Sequence, residues 1–197
     1  MLANAGPGTN EAAEAIISGA KVFTNGHKMP VPAAKSELII RLARVGEGAQ
    51  IAQLTSVSFR GREHFFRASF ASAKDVEQLM TQGKFLLAEN EKEIIGCAYL
   101  EPRIEATRLE LLAVAPTEQR AGIGSQLLDA AERLSSSMQC SFVHVRVVNF
   151  HYETIAFCRR RGYFEFGIES LNRNEPVSLH CHIVRMCKRL EADGLAF

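Results

Sequence analysis

Two glycines separated by one residue, Gly122 and Gly124, give this sequence its clearest sign of chemistry. They lie between an apolar stretch, 109–115, that predicts a central strand, and a stretch whose apolar residues recur at helical spacing. A helix that begins at such a turn presents free backbone N–H groups and a partial positive charge, and glycine lets an anion approach them closely. The pattern therefore predicts a phosphate-binding turn.

Two well-known phosphate motifs do not fit this turn. A Walker sequence requires Gly-Lys-Ser/Thr at its end, whereas Gly124 is followed directly by Ser125. The dinucleotide fingerprint requires a third glycine at the position that Leu127 occupies. A tight strand-to-helix turn with no ligand stays open as the alternative to a phosphate site.

Four segments of the chain resemble motifs of one family, the GNAT superfamily of acyl-CoA-dependent N-acetyltransferases. They correspond to the third strand of that family, its fourth strand, its pyrophosphate loop and the segment after its fifth strand. Together with the order of the elements, the resemblance extends over residues 38–190. In the same order, the four segments are 93–100 (which contains Gly96), 112–116, Gln119-x-x-Gly122-x-Gly124 and 157–163.

The resemblance implies the elements that must position the turn. We expect an α/β (α+β) fold with a mixed, mostly antiparallel sheet of six or seven strands, helices on both faces, and a splay between the fourth and fifth strands. The residue patterns predict the order β-α-α-β-β-β-α-β-α-β-β. The predicted strands are 38–45, 85–89, 93–100, 109–115, 142–148, 163–168 and 179–186, and the predicted helices are 47–59, 72–82, one that begins at Gly124, and 152–161.

The same patterns divide the chain into three parts. Residues 37–190 form the expected N-acetyltransferase domain. Residues 1–36 contain several glycines and prolines and one short helical pattern, 10–18, and are expected to be a loosely structured N-terminal extension. Residues 191–197 are expected to be a C-terminal tail.

The resemblance also implies a cosubstrate, acetyl-CoA, and the residues that bind it. The pantetheine arm would pair with the backbone of the fourth strand, and the pyrophosphate would lie on backbone N–H groups of the turn, where the guanidinium of Arg120 can add a charge-assisted contact. No metal is expected. The cofactor-binding residues implied are Leu112, Ala113, Val114, Gln119, Arg120, Ala121, Gly122, Ile123, Gly124, Ser125, Asn149 and Phe157.

Transfer of an acetyl group to an amine requires a base, and Glu110 is the best candidate. It lies in an otherwise apolar predicted strand, where regular alternation would place it on one face with Leu112 and Val114. An ion pair with Arg108 or Arg146 stays open as the alternative role. By analogy with the family, the backbone N–H of Val114 would donate to the thioester oxygen.

The sequence departs from the family where a general acid is expected. Cys158 stands at the position of the usual tyrosine, and His151 stands where many members have asparagine. Three possibilities stay open: water serves as the acid, the Cys158 thiol serves, or the protein binds an acyl-CoA without efficient turnover. A buried, purely structural role for the Cys158 side chain is also open.

Direct transfer of acetyl from acetyl-CoA to a primary amine is the function that the resemblance implies. The acceptor is unidentified and is expected to be an amine-bearing small molecule, a peptide or a protein. A non-catalytic or weakly catalytic acyl-CoA-binding regulatory protein is the alternative. Dimers are frequent in this family, so a homodimer stays open.

Two further patterns bear on possible ligands, and both are weaker than the glycine turn. Residues 59–70 mix three arginines with four phenylalanines, which favours a wall of the acceptor groove over a nucleic-acid surface. His180 and His182 alternate on a predicted strand, with His144 as a neighbour, but no third metal ligand follows from the spacing.

Composition excludes several classes of protein. The chain has 197 residues, 47% hydrophobic, with a formal net charge of +1, which disfavours a dedicated nucleic-acid binder. We see no stretch as apolar as a membrane-spanning helix, and no signal or transit peptide. Five cysteines without a C-x-x-C pair are typical of reduced thiols. We therefore expect a cytoplasmic protein with neither a membrane nor a nucleic acid as partner.

Overall fold

The structure is a computed structural model that describes residues 37–59, 72–91, 93–170 and 182–191. The predicted helix at 10–18, the aromatic and basic segment 60–70, His180 and the tail from 192 onward lie outside the described residues. Within the described residues, no helix is both long and apolar enough to cross a membrane.

Seven strands of the described residues form one sheet in the order β1-β2-β3-β4-β5-β7-β6. Neighbouring strands are antiparallel throughout, except that β4 and β5 are parallel. This confirms the predicted fold class and element order. The strands are β1 (Ile39–Leu42), β2 (Lys84–Asn90), β3 (Glu93–Pro102), β4 (Ala106–Val114), β5 (Phe142–Val148), β6 (Phe164–Ser170) and β7 (His182–Arg189).

Four described helices pack on this sheet: α1 (Gly48–Ser58), α2 (Ala73–Met80), α3 (Ile123–Ser137) and α4 (Tyr152–Arg160). Ser72 caps α2 as predicted, because its Oγ accepts a hydrogen bond of 3.2 Å from the backbone N–H of Asp75. Gly162, with φ of 85°, follows the end of α4 in the left-handed conformation that favours glycine. The bounds differ modestly from those predicted, as at β4, which begins at Ala106 rather than at 109.

The sheet separates two apolar clusters, which define its two faces. On the α3 face, α3 and α4 bury residues such as Leu127 and Ile155 against the sheet. On the α1 face, α1 and α2 bury residues such as Ile51 and Val76. Helix α1 packs on β3 and β4 and α2 packs on β2, so among the described elements these two helices cover only that half of the α1 face.

A glycine in β3 lets α3 lie close to the sheet. A Cβ at Gly96 would lie 2.9 Å from Cδ1 of Leu127 and 3.2 Å from Cγ2 of Ile123. Any larger residue would therefore push the first turns of α3 away from β3 and β4. Gly96 thus sets the position of the α3 N-terminus beside the end of β4.

Candidate active site

The two central strands separate partway along their length. Pairing between β4 and β5 runs only from Ala106–Phe142 to Leu109–Val145, although β4 continues to Val114 and β5 to Val148. Beyond Leu109, the β5 side of β4 has no strand partner among the described residues. The predicted splay between the fourth and fifth strands is therefore present, and it leaves a gap in the middle of the sheet.

The backbone of β4 offers hydrogen-bonding groups to this gap. The N–H of Ala115 donates to the carbonyl of Ile95 at 2.8 Å, which fixes the alternation of hydrogen bonds between β4 and β3. By that alternation, Ala113 pairs with Cys97 in β3, whereas Leu112 and Val114 direct their N–H and C=O groups away from β3. Of the three predicted residues, Leu112 and Val114 present their backbone to the gap, and Ala113 presents its backbone to β3.

The carbonyl of Val114 is already engaged from both sides of the strand end. It accepts hydrogen bonds of 3.2 Å from Oγ of Ser58 and from Nε2 of Gln119. The side chain of Gln119 therefore ties the turn to the end of β4. That contact assigns Gln119 a role in shaping the turn.

The turn between β4 and α3 exposes unpaired backbone donors. A short 3-10 turn, Pro116–Glu118, leads to Arg120 and Gly122, whose φ angles are 66° and 84°. Helix α3 then begins with no side-chain cap and no acidic residue in its first turn. The N–H groups of the first three helical residues precede any intrahelical acceptor, so the predicted anion-binding geometry is present. These residues are Ile123, Gly124 and Ser125.

The turn and the gap form one continuous surface. A Cβ at Gly124 would lie 3.8 Å from Cγ2 of Val114, so the first turn of α3 lies directly against the end of β4. A ligand with an extended polar arm and a phosphate group can therefore contact the strand and the helix N-terminus together. This arrangement fits the chemistry of an acyl-CoA.

A β-bulge in β4 determines where Glu110 points. Leu109 is opposite Leu100 and Leu111 is opposite Tyr99, so Glu110 is an extra residue in the pairing with β3. The bulge interrupts the alternation of side chains: Leu109 lies in the α3-face cluster and Leu111 in the α1-face cluster.

The expectation that Glu110 shares a face with Leu112 and Val114 is wrong for this reason. Those two side chains pack against the α3-face cluster. The carboxylate of Glu110 instead reaches Arg146, whose strand neighbours Val145 and Val147 point to the α3 face. Glu110 therefore lies on the α1 face.

Glu110 forms ion pairs with both arginines that the sequence offered as alternatives. Its Oε1 lies 3.0 Å from Nη1 of Arg108, and its Oε2 lies 3.5 Å from Nη1 of Arg146. Both arginines also contact a second carboxylate: Nη2 of Arg146 lies 2.6 Å from Glu169, and Nη1 of Arg108 lies 3.7 Å from Glu101. About a fifth of the Glu110 side chain is exposed (20%), so solvent or a ligand can still reach it.

Cys158 lies in the core of the α3 face and is 3% exposed. Burial raises the pKa of its thiol to about 11. The thiol is thus protonated at neutral pH, and it packs as a small apolar side chain. Phe157 packs partly buried against the same cluster.

Asn149 joins the end of β5 to the start of β7. Its N–H donates to the carbonyl of His182 at 2.9 Å, and its Oδ1 accepts from the N–H of His182 at 3.2 Å. Asn149 therefore lies at the end of β5 that borders the gap, with its side-chain oxygen already bonded.

The described histidines do not converge on a metal site. His144 is paired with Cys187 and His182 with Ser170, which places the two histidines on opposite faces of the sheet. In the part of the chain that the structure describes, no three potential ligands are grouped.

Sequence reasoning missed the bulge and the cluster of charges beside it. The doublet Leu111-Leu112 breaks the alternation that Leu109 and Glu110 begin, and this irregularity was the available signal. Arg185 and Phe166, which the guanidinium of Arg185 overlies at 4.5 Å, were also missed. Their position depends on the register of β6 and β7, for which the sequence holds no comparable signal.

Comparisons with known proteins agree with this geometry. Residues 81–165 match the family model described as an acetyltransferase (GNAT) domain. No curated protein matches the sequence significantly. Many solved structures do match it in fold.

The three structures have nearly the same extent as the described domain. A GNAT family acetyltransferase from Elizabethkingia anophelis, with acetyl-CoA bound, is 22% identical with a TM-score of 0.62, covering 78% of this chain and 98% of that chain. The ribosomal-protein-S18-alanine N-acetyltransferase from Escherichia coli is 16% identical with a TM-score of 0.64, covering 82% and 99%. PaiA N-acetyltransferase from Thermoplasma acidophilum, in complex with coenzyme A, is 15% identical with a TM-score of 0.64, covering 78% and 99%.

The described residues have the GNAT fold of these solved structures. Residues 81–165 match the GNAT acetyltransferase domain, which confirms the predicted resemblance to the GNAT superfamily.

Proposed function

We propose that this protein is an acetyl-CoA-dependent N-acetyltransferase that transfers acetyl directly to a primary amine. The observation that carries the proposal is the continuity between the gap beside Leu112 and Val114 and the uncapped N-terminus of α3. Two proteins of similar fold hold acetyl-CoA or coenzyme A, and a third is an N-acetyltransferase of a ribosomal protein.

The cofactor would be held mainly by backbone groups. Leu112 would pair with an amide of the pantetheine arm, as an added strand pairs with a sheet edge. Val114 would contribute its N–H, because its carbonyl already accepts two side-chain hydrogen bonds. The pyrophosphate would lie on the N–H groups from Arg120 to Ser125, where the helix dipole favours negative charge. Asn149 and Phe157, on the far side of the gap, would contribute to its wall.

Glu110 is the base in this proposal. Acetyl-CoA supplies an acetyl group activated as a thioester, and the attacking amine must first lose a proton. The carboxylate of Glu110 lies on the α1 face at the point where β4 and β5 separate, so it can accept that proton directly or through one water. The N–H of Val114, directed into the gap, would donate to the thioester oxygen.

Water is the better candidate for the general acid. A thiol buried in the core with its pKa raised to about 11 is a weak donor to a departing thiolate. The same burial favours a second candidate function, an acyl-CoA-binding protein without efficient turnover. Turnover itself separates the two functions.

The proposal is tested by titrating purified protein with CoA in a calorimeter and by measuring CoA release from acetyl-CoA over a panel of amines. We expect saturable CoA binding and amine-dependent release. Absence of CoA binding would overturn the proposal, and binding without release on any amine would favour the regulatory alternative.

A matched pair of glycine variants makes the binding test specific. Gly122 and Gly46 both have positive φ, 84° and 93°, and a Cβ at either would meet nothing within 4 Å. Gly122→Val and Gly46→Val should therefore cost similar stability, because each forces a β-branched residue into the left-handed region. Only Gly122→Val should lose CoA binding.

A further inference from the structure

Five charged side chains form a row on the α1 face, across the strands that border the gap. We call this row the charged ladder; its members are Arg108, Glu110, Arg146, Glu169 and Arg185. Pairing between β4 and β5 ends at Leu109–Val145, and Glu110 and Arg146 are the next residues on each strand. The ladder therefore crosses the sheet at the point where the strands separate.

The ladder is accessible from one side only. The α3 face of this region is filled by α3 and α4, which pack into the larger cluster. Among the described elements, α1 and α2 reach only as far as β4 on the other face. An amine acceptor would thus approach the gap across the α1 face and meet the ladder.

The three arginines of the ladder are not equally paired with carboxylates. Arg146 and Arg185 are directly opposite each other in the pairing of β5 with β7, and like charges at such positions destabilise a sheet. Glu169 lies 2.6 Å from Arg146, whereas Arg185 rests over the ring of Phe166. No carboxylate of the described chain segments lies within ion-pair distance of Arg185. Arg108 and Arg146 therefore each contact two carboxylates, whereas Arg185 contacts none within the described residues.

His144 adds no further positive charge at neutral pH. It lies on the same face, with its ring 5.1 Å from that of Phe166. Burial lowers its pKa, and the nearby guanidinium groups of Arg185 and Arg108 lower it further. Within the described residues, Arg185 is thus the positive charge of the ladder that has no carboxylate partner.

The contacts of Glu110 select against a simple amine. An ammonium group that approaches this carboxylate competes with two guanidinium groups already in place. The weaker of the two Glu110 contacts is the 3.5 Å ion pair with Arg146, which is longer than a hydrogen bond between charged groups. An acceptor that carries its own anion can take over the Arg146 contact while its ammonium binds Glu110.

We propose that the acceptor is an amine that carries a carboxylate on the same molecule, with its ammonium at Glu110 and its carboxylate between Arg146 and Arg185. A free α-amino acid is the simplest such molecule. This inference rests on the proposed function, because it requires that amines react on the α1 face. Arg185 then acts as a specificity-determining residue for the acceptor.

Matched acceptors test the inference with full-length protein and saturating acetyl-CoA. Each free amino acid is compared with its α-amide, and a dipeptide amide that begins with Asp is compared with one that begins with Asn. CoA release gives kcat/KM for each member. We expect a preference of about tenfold or more for the acid in at least one of the two pair types, and the pair type identifies where the carboxylate must lie.

Two arginine variants distinguish recognition from a structural effect. Arg185→Gln should bring the acid-to-amide ratio close to one by lowering kcat/KM for the acid. Arg103→Gln is the matched control, since Arg103 is an exposed arginine paired with Glu101 at 2.7 Å outside the ladder. It should leave the ratio as in the wild type.

The outcomes separate this inference from the proposed function. Equal turnover of acids and amides, or an Arg185→Gln variant that slows both equally, overturns the inference while the acetyltransferase stands. Turnover of no amine overturns both, and retained CoA binding in that case leaves only the regulatory alternative.

Discussion

The gap between β4 and β5 is lined by backbone groups on one side and by side chains on the other. Toward α3, the candidate site consists of backbone groups. These are the N–H and C=O groups that Leu112 and Val114 direct away from β3, and the free N–H groups after Gly122. On the α1 face it consists of side chains, with Glu110 held between Arg108 and Arg146. The side toward α3, the backbone half, depends on the path of the chain, whereas the α1-face side, the side-chain half, depends on which charged residues are present.

This difference determines which substitutions each side of the gap can tolerate. A backbone site tolerates many side chains as long as the path is kept, here by Gly96 against α3 and by the left-handed Gly122. Proteins only 15% to 22% identical to this chain share its fold. A side-chain site changes with each substitution, so the α1 face is where acceptor preference would be set.

The largest effect should come from the side-chain half. Glu110→Gln removes the carboxylate but keeps its shape, and we expect kcat to fall by about two to three orders of magnitude, as for the loss of a general base. CoA affinity should be unchanged, because the backbone half is untouched. Turnover rates and calorimetric CoA titration of the same preparation give both numbers.

Glu101→Gln is the control for Glu110→Gln. Glu101 contacts Nη1 of Arg108 at 3.7 Å, and its loss removes that ion pair without removing the proposed base, Glu110. If the two variants slow turnover equally, Glu110 has only a structural role.

The backbone half should respond to charge rather than to bulk. Gly124→Asp places a carboxylate in the first turn of α3, where a Cβ has ordinary contact at 3.8 Å from Val114. We expect the helix dipole to stabilise this variant by about 0.5 kcal/mol, while CoA affinity falls by about a hundredfold through repulsion of the phosphates. The unfolding temperature should therefore rise while the CoA affinity measured by titration falls.

Gly124→Asn has the same shape as Gly124→Asp without the charge. It should bind CoA within about fivefold of the wild type, and the gap between the two variants should narrow in high salt. Equal losses in both would mean that the position excludes any side chain.

Cys158 tests whether the α3-face core supplies any chemistry at all. Cys158→Ala should cost about 1 kcal/mol of stability and change turnover by less than about threefold, because the thiol is buried and only packs. A larger loss of turnover would make the thiol the general acid. Stopped-assay rates and urea unfolding check the two parts.

The stability difference should also depend on pH. The folded protein keeps the Cys158 proton up to about pH 11, whereas the unfolded thiol loses it above its ordinary value of 9.0. The thiol therefore contributes stability that is present below pH 9 and is lost as pH rises toward 11. The stability difference between wild type and Cys158→Ala should therefore change by up to about 2 to 3 kcal/mol across this range. Since the wild type is ahead by only about 1 kcal/mol at neutral pH, Cys158→Ala should become the more stable protein near pH 11, whereas the difference between wild type and Val184→Ala should stay constant.

Sequence patterns predicted the fold, and with it the path of the chain from β4 into α3, for a physical reason. Strand and helix periodicity, the cap at Ser72 and the glycines at 122 and 162 act within a few residues of the chain. Such local signals can be read directly. The path from β4 through the turn to α3 is built almost entirely from them.

The side-chain half could not be predicted in the same way. The face of Glu110 depends on one extra residue opposite Tyr99 and Leu100, because the bulge reverses the alternation that the pattern assumes. The meeting of Arg146 with Arg185 depends on the register of β5 with β7, which lie far apart in sequence. The register between strands far apart in sequence cannot be predicted from the residue pattern of a short segment.

The smallest effect concerns the one charged side chain on the backbone half. Arg120 has φ of 66°, a conformation that costs a non-glycine residue about 1 kcal/mol and that glycine adopts freely. Arg120→Gly removes this strain but gains chain entropy in the unfolded state, so stability should change by less than about 0.5 kcal/mol. An exposed guanidinium contributes weakly to phosphate binding, and CoA affinity should fall by only about threefold. Asparagine also tolerates a left-handed conformation, so Arg120→Asn should show the same CoA affinity as Arg120→Gly in calorimetry. In high salt, both variants should bind CoA as well as the wild type does. A loss above about thirtyfold would instead mean that a side chain dominates the pyrophosphate site, and the division between a backbone half and a side-chain half would fail at this position.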